Sequence, residues 1–280
     1  MNNTIENFKN TMLEANVPPP DNLIGDGQLH RFKIDGKLNG AYVLHLDGRA
    51  AGYFEDFKQS IKQTWRLSGQ FVPLSDSQRK EFAKQRQDAE IQRKAEDSEK
   101  HGAAASKAVY IWQQATAAPA NHPYLIKKHI NPHGARLGRD NTLIIPLFNA
   151  NKELVNLQFI SPTGGKRFLS GGKKKGCFYC LGEEITDKVL VCEGFATACS
   201  LREDSDYLTV IAFDAGNLKE VAKVVKSLYP YSEIIICGDN DITGIGQRKA
   251  MEAASAINGK YLLPPIAGMD FNDMLTMAGV

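Results

Sequence analysis

The chain has 280 residues, of which 42% are hydrophobic, 24% charged and 9% aromatic, a profile that argues for a globular protein with more than one core and against disordered or collagen-like chains. No apolar run approaches the roughly 20 residues that span a bilayer. The net charge of +2 conceals a segregation: residues 1–101 hold 15 basic and 15 acidic side chains, residues 102–186 hold 11 and 4, and residues 187–280 hold 8 and 13. A basic stretch followed by an acidic one suggests a polyanion track beside a carboxylate cluster, although uneven solvated surface would explain the charge alone.

The opening MNNTIENFKN lacks the basic and apolar regions of a secretory signal, so a cytoplasmic location and no membrane partner are expected. Residues 1–20 predict a short amphipathic helix stopped by Pro18, Pro19 and Pro20. From Gly27 to about Phe71, short apolar and polar groups alternate between Gly36, Gly40, Gly48 and Gly52. Tyr42-Val43-Leu44-His45-Leu46 reads as a strand in a series of hairpins.

After Ser75, residues 76–101 carry seven basic and seven acidic side chains with no glycine or proline, which predicts a solvated connecting helix. A second helical stretch covers residues 103–117, bounded by Pro119 and the His122-Pro123 step. Residues 142–148 and 154–160 form a predicted hairpin. The loop over residues 162–176, with Lys166, Arg167, Lys173, Lys174 and Lys175, contains no acid and is expected to be mobile.

Beyond residue 186 the pattern changes. Apolar runs at residues 189–192, 208–213, 234–237 and 261–263 alternate with helical stretches at 195–203, 217–228 and 245–257. That alternation predicts a parallel sheet covered by helices. Ligands of such sheets bind where strand carboxyl ends, loops and helix N-termini converge. Glu193 follows the first of these strands, Asp239 and Asp241 the third, and Asp270 and Asp273 the last. Acids gathered there repel one another unless cations neutralise them, and hard oxygen ligands select Mg²⁺ or Mn²⁺. Taken singly, each acid would more often be a helix cap or a surface residue.

Five cysteines, Cys177, Cys180, Cys192, Cys199 and Cys237, are an odd number, and three lie in or beside apolar runs. Disulfides are not expected. The pair Cys177 and Cys180 lacks a second pair to complete a zinc site, so no zinc is expected and ordinary packing is preferred. His101, His122, His129 and His133 are spread too widely to form a ligand group.

The segments Val189-Leu190-Val191-Cys192-Glu193-Gly194-Phe195, Ile236-Cys237-Gly238-Asp239-Asn240-Asp241-Ile242-Thr243-Gly244 and Pro265-Ile266-Ala267-Gly268-Met269-Asp270-Phe271-Asn272-Asp273 resemble, in order and spacing, the three signatures of Toprim domains. The aspartate motif resembles primases more than topoisomerases. Upstream, His122-Pro123-Tyr124, Leu157-Gln158-Phe159, Gly165-Lys166-Arg167-Phe168 and the lysine loop resemble the basic half of a primase core. The nearest type is the primase of plasmids, phages and integrated elements.

This resemblance implies an α/β fold, with a Toprim-type parallel sheet and flanking helices over residues 187–280. An α+β basic primase-core subdomain over 102–186, a charged helical connector over 76–101 and a small β-rich α+β domain over 1–75 would precede it. It also implies that Glu193, Asp239 and Asp241 are catalytic and hold two or more Mg²⁺ or Mn²⁺ ions together with Asp270. Lys166, Arg167, Lys173, Lys174 and Lys175 would bind nucleic acid or nucleotide. Gly194, Asn272 and Asp273 are additional candidates.

Thr197 and Asn272 stand where the resemblance to replicative primases implies acids, so one metal site is expected to be weaker or differently built. No zinc ribbon is found, which shifts template recognition toward residues 27–71, where Phe32, Tyr42, Tyr53 and Trp65 are stacking candidates if they are not core. No phosphate-binding Gly-x-x-x-x-Gly-Lys-Ser/Thr loop is present, so a helicase would be a separate partner. The expected activity is synthesis of short RNA primers from ribonucleoside triphosphates on single-stranded DNA. A metal-dependent Toprim nuclease or a non-catalytic single-stranded-DNA-binding protein are the alternatives.

Overall fold

The computed structural model describes residues 2–46, 49–68, 76–182, 184 and 186–278 of the chain, which divides into two compact units, Met1–Ala95 and Glu96–Val280.

 The last of these stretches ends at Ala278. Gly48, Phe71 and Ser75, which figure in the expected hairpin series and at the start of the expected connector, lie outside the described residues.

In the first unit, α1 (Asn2–Glu14) precedes four strands, β1 (His30–Ile34), β2 (Lys37–His45), β3 (Ala51–Asp56) and β4 (Ile61–Arg66), which pair antiparallel in chain order. The expected hairpin series is present. Alternation along the strands sends Phe32, Tyr42, Phe54 and Trp65 to one face, where Phe8 of α1 packs edge-on to Phe54 and Trp65 at ring-centroid distances of 5.8 and 5.1 Å. The Trp65 indole N–H donates to Asn7 Oδ1 at 3.0 Å, which satisfies the one polar atom that the ring carries inward.

Instead of two helices, residues 76–114 form one, α2 (Asp76–Gln114), of 39 residues. Gly102 does not interrupt it. A helical glycine costs only about 1 kcal/mol relative to alanine, and the alanines that follow are strong helix formers. In the second unit the far end of α2 becomes apolar on one side, where buried Ala108 meets Ile144, Leu157, Phe159 and Leu169.

The basic half of the second unit contains β5 (Thr116–Ala117), α3 (Pro123–Lys128), β6 (Arg136–Leu137), β7 (Leu143–Phe148), β8 (Leu154–Ile160) and β9 (Lys166–Phe168). The five strands form an antiparallel sheet in chain order. His122 caps α3, accepting from the Tyr124 amide through Nδ1 and approaching the Asn141 carbonyl through Nε2 at 2.8 Å. His133 meets Glu203 at 2.6 Å. These histidines are engaged in local structure.

The following elements are β10 (Tyr179–Leu181), β11 (Lys188–Cys192), α4 (Phe195–Ser205), β12 (Leu208–Ile211), α5 (Leu218–Leu228), β13 (Glu233–Cys237), α6 (Ile245–Ser255), β14 (Lys260–Leu262) and α7 (Phe271–Ala278). Their sheet has the order β10-β12-β11-β13-β14, parallel except for β10 at the edge. The fold class is therefore α/β in this half, with a parallel sheet flanked by helices. Both faces are buried, which explains the unbroken apolar runs. Val189, Val191, Ile234 and Ile236 face α5 and α6, while Leu190, Cys192, Ile235 and Cys237 share a core with Leu143, Ile145 and Leu147 of β7. All five cysteines are free, and Cys192, Cys199 and Cys237 pack in that shared core as small hydrophobes.

The lysine loop is held rather than loose. Gln158 to Ile160 pair with Lys166 to Phe168. Asn156 Nδ2 donates to the Lys173 carbonyl, and the buried Asn217 grips the loop further along: its Oδ1 accepts from Gly176 N at 2.8 Å and its Nδ2 donates to the carbonyls of Lys174, Cys177 and Ala212.

Candidate functional site

Strand register assembles the acidic edge. Cys192 of β11 lies level with Cys237 of β13 on one side and Ile211 of β12 on the other. The chain therefore leaves three neighbouring strands at one height, delivering Glu193, Asp239 and Asp214 to the same edge. Asp270 arrives after β14, immediately before α7. Each exit is sharp because a helix must start within a few residues and pack back on the sheet.

Glu193, Gly194, Thr197, Asp239 and Asp270 line a cleft of about 340 Å³ with Lys166 and Gln158 of the basic half. Gly194 lies beside the lysine: a Cβ built there would make ordinary van der Waals contact with Lys166 Nζ at 3.7 Å. Tyr124, Lys127 and Lys128 of α3 complete the wall. The cleft thus brings carboxylates from one sheet against a cation from the other.

Its electrostatics are those of anions lacking enough counter-charge. Burial first, and then the charges of Glu193 and Asp270, push the Asp239 carboxyl up to about 7 against the opposing pull of Lys166. Burial likewise raises Glu193, followed by the charge of Asp214, while Lys166 and the Ala215 amide pull it down. Asp239 Oδ1 is buried and has no hydrogen-bond partner. An orphaned carboxylate oxygen beside further acids is the donor set that a hard divalent cation satisfies, so these residues fit such an ion. Among the described residues, no three His, Cys, Asp or Glu side chains converge as a ready-made metal cage.

The other sequence candidates fall elsewhere. Asp241 turns its carboxylate into the start of α6, accepting from Thr243 Oγ1, Ile245 N and Gly246 N, and the Thr243 and Gly246 bonds hold it below the usual carboxylate range. Asp273 N donates to Asp270 Oδ1 at 2.8 Å, an N-terminal cap of α7, and the Asp273 carboxylate meets Lys128 at 3.3 Å. Buried Asn272 donates to the Lys128 carbonyl and to Ser200 Oγ, a tie between helices. Arg167, one residue from Lys166 along a strand, points to the opposite face and stacks over Phe159 at 4.5 Å. Lys173 and Lys175 are exposed outside the cleft lining, and Lys174 forms an ion pair with Asp214.

Three contributors were not among the site residues expected from the sequence, although Gln158 lies in a motif that carries the primase resemblance. Asp214 follows β12, so the strand-end rule that found Glu193 and Asp239 also reaches it. Gln158 is 3% exposed with an unpartnered Oε1, an inward polar residue within an apolar strand. Asn217 looks in sequence like any helix-start asparagine, and only the three-dimensional return of residues 174–177 reveals its contacts.

Residues 188–280 match the family model described as Toprim domain. The chain is 31% identical over 269 residues to a DNA primase TraC of Escherichia coli, and 33% identical over 266 residues to another Escherichia coli DNA primase TraC. These alignments cover 90% and 88% of this chain but 25% and 18% of the two relatives. The chain spans a quarter or less of the curated relatives it matches. Among solved structures, the primase fragment of the bacteriophage T7 primase-helicase protein aligns with a TM-score of 0.45 and 18% identity, over 55% of this chain and 69% of that one. Residues 188–280, with their parallel sheet and acidic strand ends, are a Toprim domain.

Proposed function

We propose that the chain carries the catalytic core of a DNA primase, which makes short RNA primers from ribonucleoside triphosphates on single-stranded DNA for a plasmid, phage or integrated element. The observation that carries this reading is the meeting of Toprim carboxylates with Lys166 of the basic half in one cleft. Similarity to primases over most of this chain supports it. In this reading residues 187–280 supply the acids, residues 102–186 the phosphate-binding cations, residues 76–101 the connection, and residues 1–75 a further function on the template. The protein acts in the cytoplasm, with a helicase as a separate partner.

Glu193 and Asp239, assisted by Asp270, would hold Mg²⁺ or Mn²⁺, and Asp241 would join them by giving up its helix-capping bonds. Bound divalent ions neutralise triphosphate charge and stabilise in-line displacement at phosphorus. Lys166 adds a protein cation that stays in place beside the acids, so the nucleotide phosphates meet positive charge without rearranging the sheet. Glu193, raised by burial and Asp214, is suited to hold a proton at its carboxylate. Tyr124 and Phe213 supply aromatic faces to the wall of the cleft.

Incubation of the chain with single-stranded DNA, labelled ribonucleotides and Mg²⁺ or Mn²⁺, followed by a denaturing gel, tests the proposal. A ladder of short products is expected, absent from Asp239→Ala. Template shortened without a ladder would identify a nuclease instead, and intact template bound without synthesis by chain and helicase together would identify a binding protein.

A further inference from the structure

The α1 and sheet portion of the first unit is neutral in sum but sorted in space. Residues 1–68 contain eight basic and eight acidic side chains. Several acids are occupied away from the sheet's outer face: Asp56 is buried and accepts from the amides of Lys58 and Gln59, Asp26 pairs with His30 and Arg93, and Glu6 and Glu14 lie on α1.

The outer face is composed differently. Alternation along β1 turns Phe32 and Ile34 inward and leaves Arg31 and Lys33 exposed. The register aligns Arg31, Ala41, Glu55 and Lys62 across the four strands, and Val43, Tyr53 and Thr64 across the inner pair and β4, with Ala51 beside Arg66. Two cations therefore stand on each edge strand, Arg31 and Lys33 on β1 and Lys62 and Arg66 on β4, with Glu55 as the one acid in these rows among the described residues; Arg31 lies over the Phe57 ring at 4.4 Å and donates to the Leu38 carbonyl. Between the edge strands lie half-buried Val43 and Tyr53. Lys62 Nζ sits 5.4 Å from the Tyr53 ring centroid and 4.0 Å from the Glu55 carboxylate, and its side chain is 65% exposed, so a phosphate can compete with this loose surface pair for it.

We propose that this outer sheet face binds single-stranded DNA, with phosphates along the edge cations and an unpaired base on Tyr53. Charge complementarity selects a polyanion. The ring selects a single strand, because stacking needs a base face that a duplex does not offer. The inference rests on the proposed function for the nature of the nucleic acid, and it assigns that template a second contact outside the carboxylate cleft. Among the four aromatic candidates, Phe32, Tyr42 and Trp65 belong to the core, leaving Tyr53 for this role.

The test uses the full chain in EDTA, so that binding is read without synthesis, and a fluorescein-labelled oligothymidylate. Neutralising Arg31, Lys33, Lys62 and Arg66 together to Gln is expected to reduce the salt dependence of log K by about 3, from the single-strand value of roughly 0.7 per phosphate contact. Tyr53→Ala should weaken binding about 5- to 150-fold, the range for loss of one stacked base, and Tyr53→Phe should bind as the parent does. Ultraviolet cross-linking of an iodouracil oligonucleotide to the unaltered chain, read by mass spectrometry, should label Tyr53. An unchanged salt slope with cross-links confined to residues 96–280 would overturn the proposal. Failure of the primase reading would appear separately, as cross-linking at Tyr53 without a primer ladder.

Discussion

Asn217 is the side chain on which the geometry of the lysine loop depends, and removing it gives a quantitative test. Its Oδ1 satisfies the Gly176 amide, and its Nδ2 serves the Lys174, Cys177 and Ala212 carbonyls at 2.8 to 3.1 Å. Asn217 is 3% exposed, so water does not replace it readily. A buried amide left without a partner costs about 1–3 kcal/mol, and each lost net bond about 1 kcal/mol. With two N–H groups shared over three carbonyls, Asn217→Ala should cost about 3–5 kcal/mol, above the usual range for single substitutions. Asn217→Asp retains the acceptor for Gly176 but faces carboxylate oxygen toward carbonyls, and should be no better at neutral pH. Urea unfolding with circular dichroism measures both variants. A loss below about 1 kcal/mol for the alanine would show that Asn156 and β9 hold the loop by themselves.

The raised Asp239 carboxyl makes a pH prediction. It keeps its proton up to about 7 when folded and loses it near 3.8 when unfolded, so the folded state binds more protons between those values and metal-free stability falls as pH rises through them, by at most about 4 kcal/mol. Asp239→Asn should therefore raise the melting temperature at pH 8 in EDTA; a lower one would contradict the electrostatics. Lys166→Ala should lower kcat/KM about 10- to 150-fold, from a charge-assisted contact of roughly 1.5–3 kcal/mol, while Arg167→Ala changes it much less; equal losses would place both cations on the nucleotide. Gly238→Ala drives a Cβ to 2.5 Å from Ala250 Cβ and 3.0 Å from Leu263 Cδ2, an overpacking of about 1–3 kcal/mol. Ala250→Gly should restore part of that loss in urea titrations.

The Toprim half was legible because its strands are buried on both faces and its helices start just past them, so apolar runs, glycines and acids fall in a fixed order. The basic half was less so. The break expected near Gly102 rested on local composition, and tertiary packing of Ala108 and its neighbours continues the helix through it. The lysine loop was read as mobile because glycine and lysine carry no packing signal of their own; its anchors, Asn156 and Asn217, lie 17 and 41 residues from the backbone groups they bind. The sequence placed all five lysine-loop and β9 cations in one class, whereas strand alternation separates Lys166 from Arg167 and an ion pair separates Lys174 from its neighbours.

The cleft acids are held in place by strand register and helix starts rather than by one another. Glu193 and Asp239 take their positions from Cys192 and Cys237, whose strands are fixed by cores on both faces of the sheet, and Asp270 from its cap on α7. Such a framework keeps mutually repelling carboxylates together before any cation arrives, at a stability cost that the rest of the Toprim domain absorbs. The raised protonation of Asp239 and its unpartnered oxygen are the residue of that compromise, and they fall at the position where a divalent ion would contribute most. Thr197, buried in the same cleft, fits this balance, since a further carboxylate there would add repulsion that Lys166 alone does not offset.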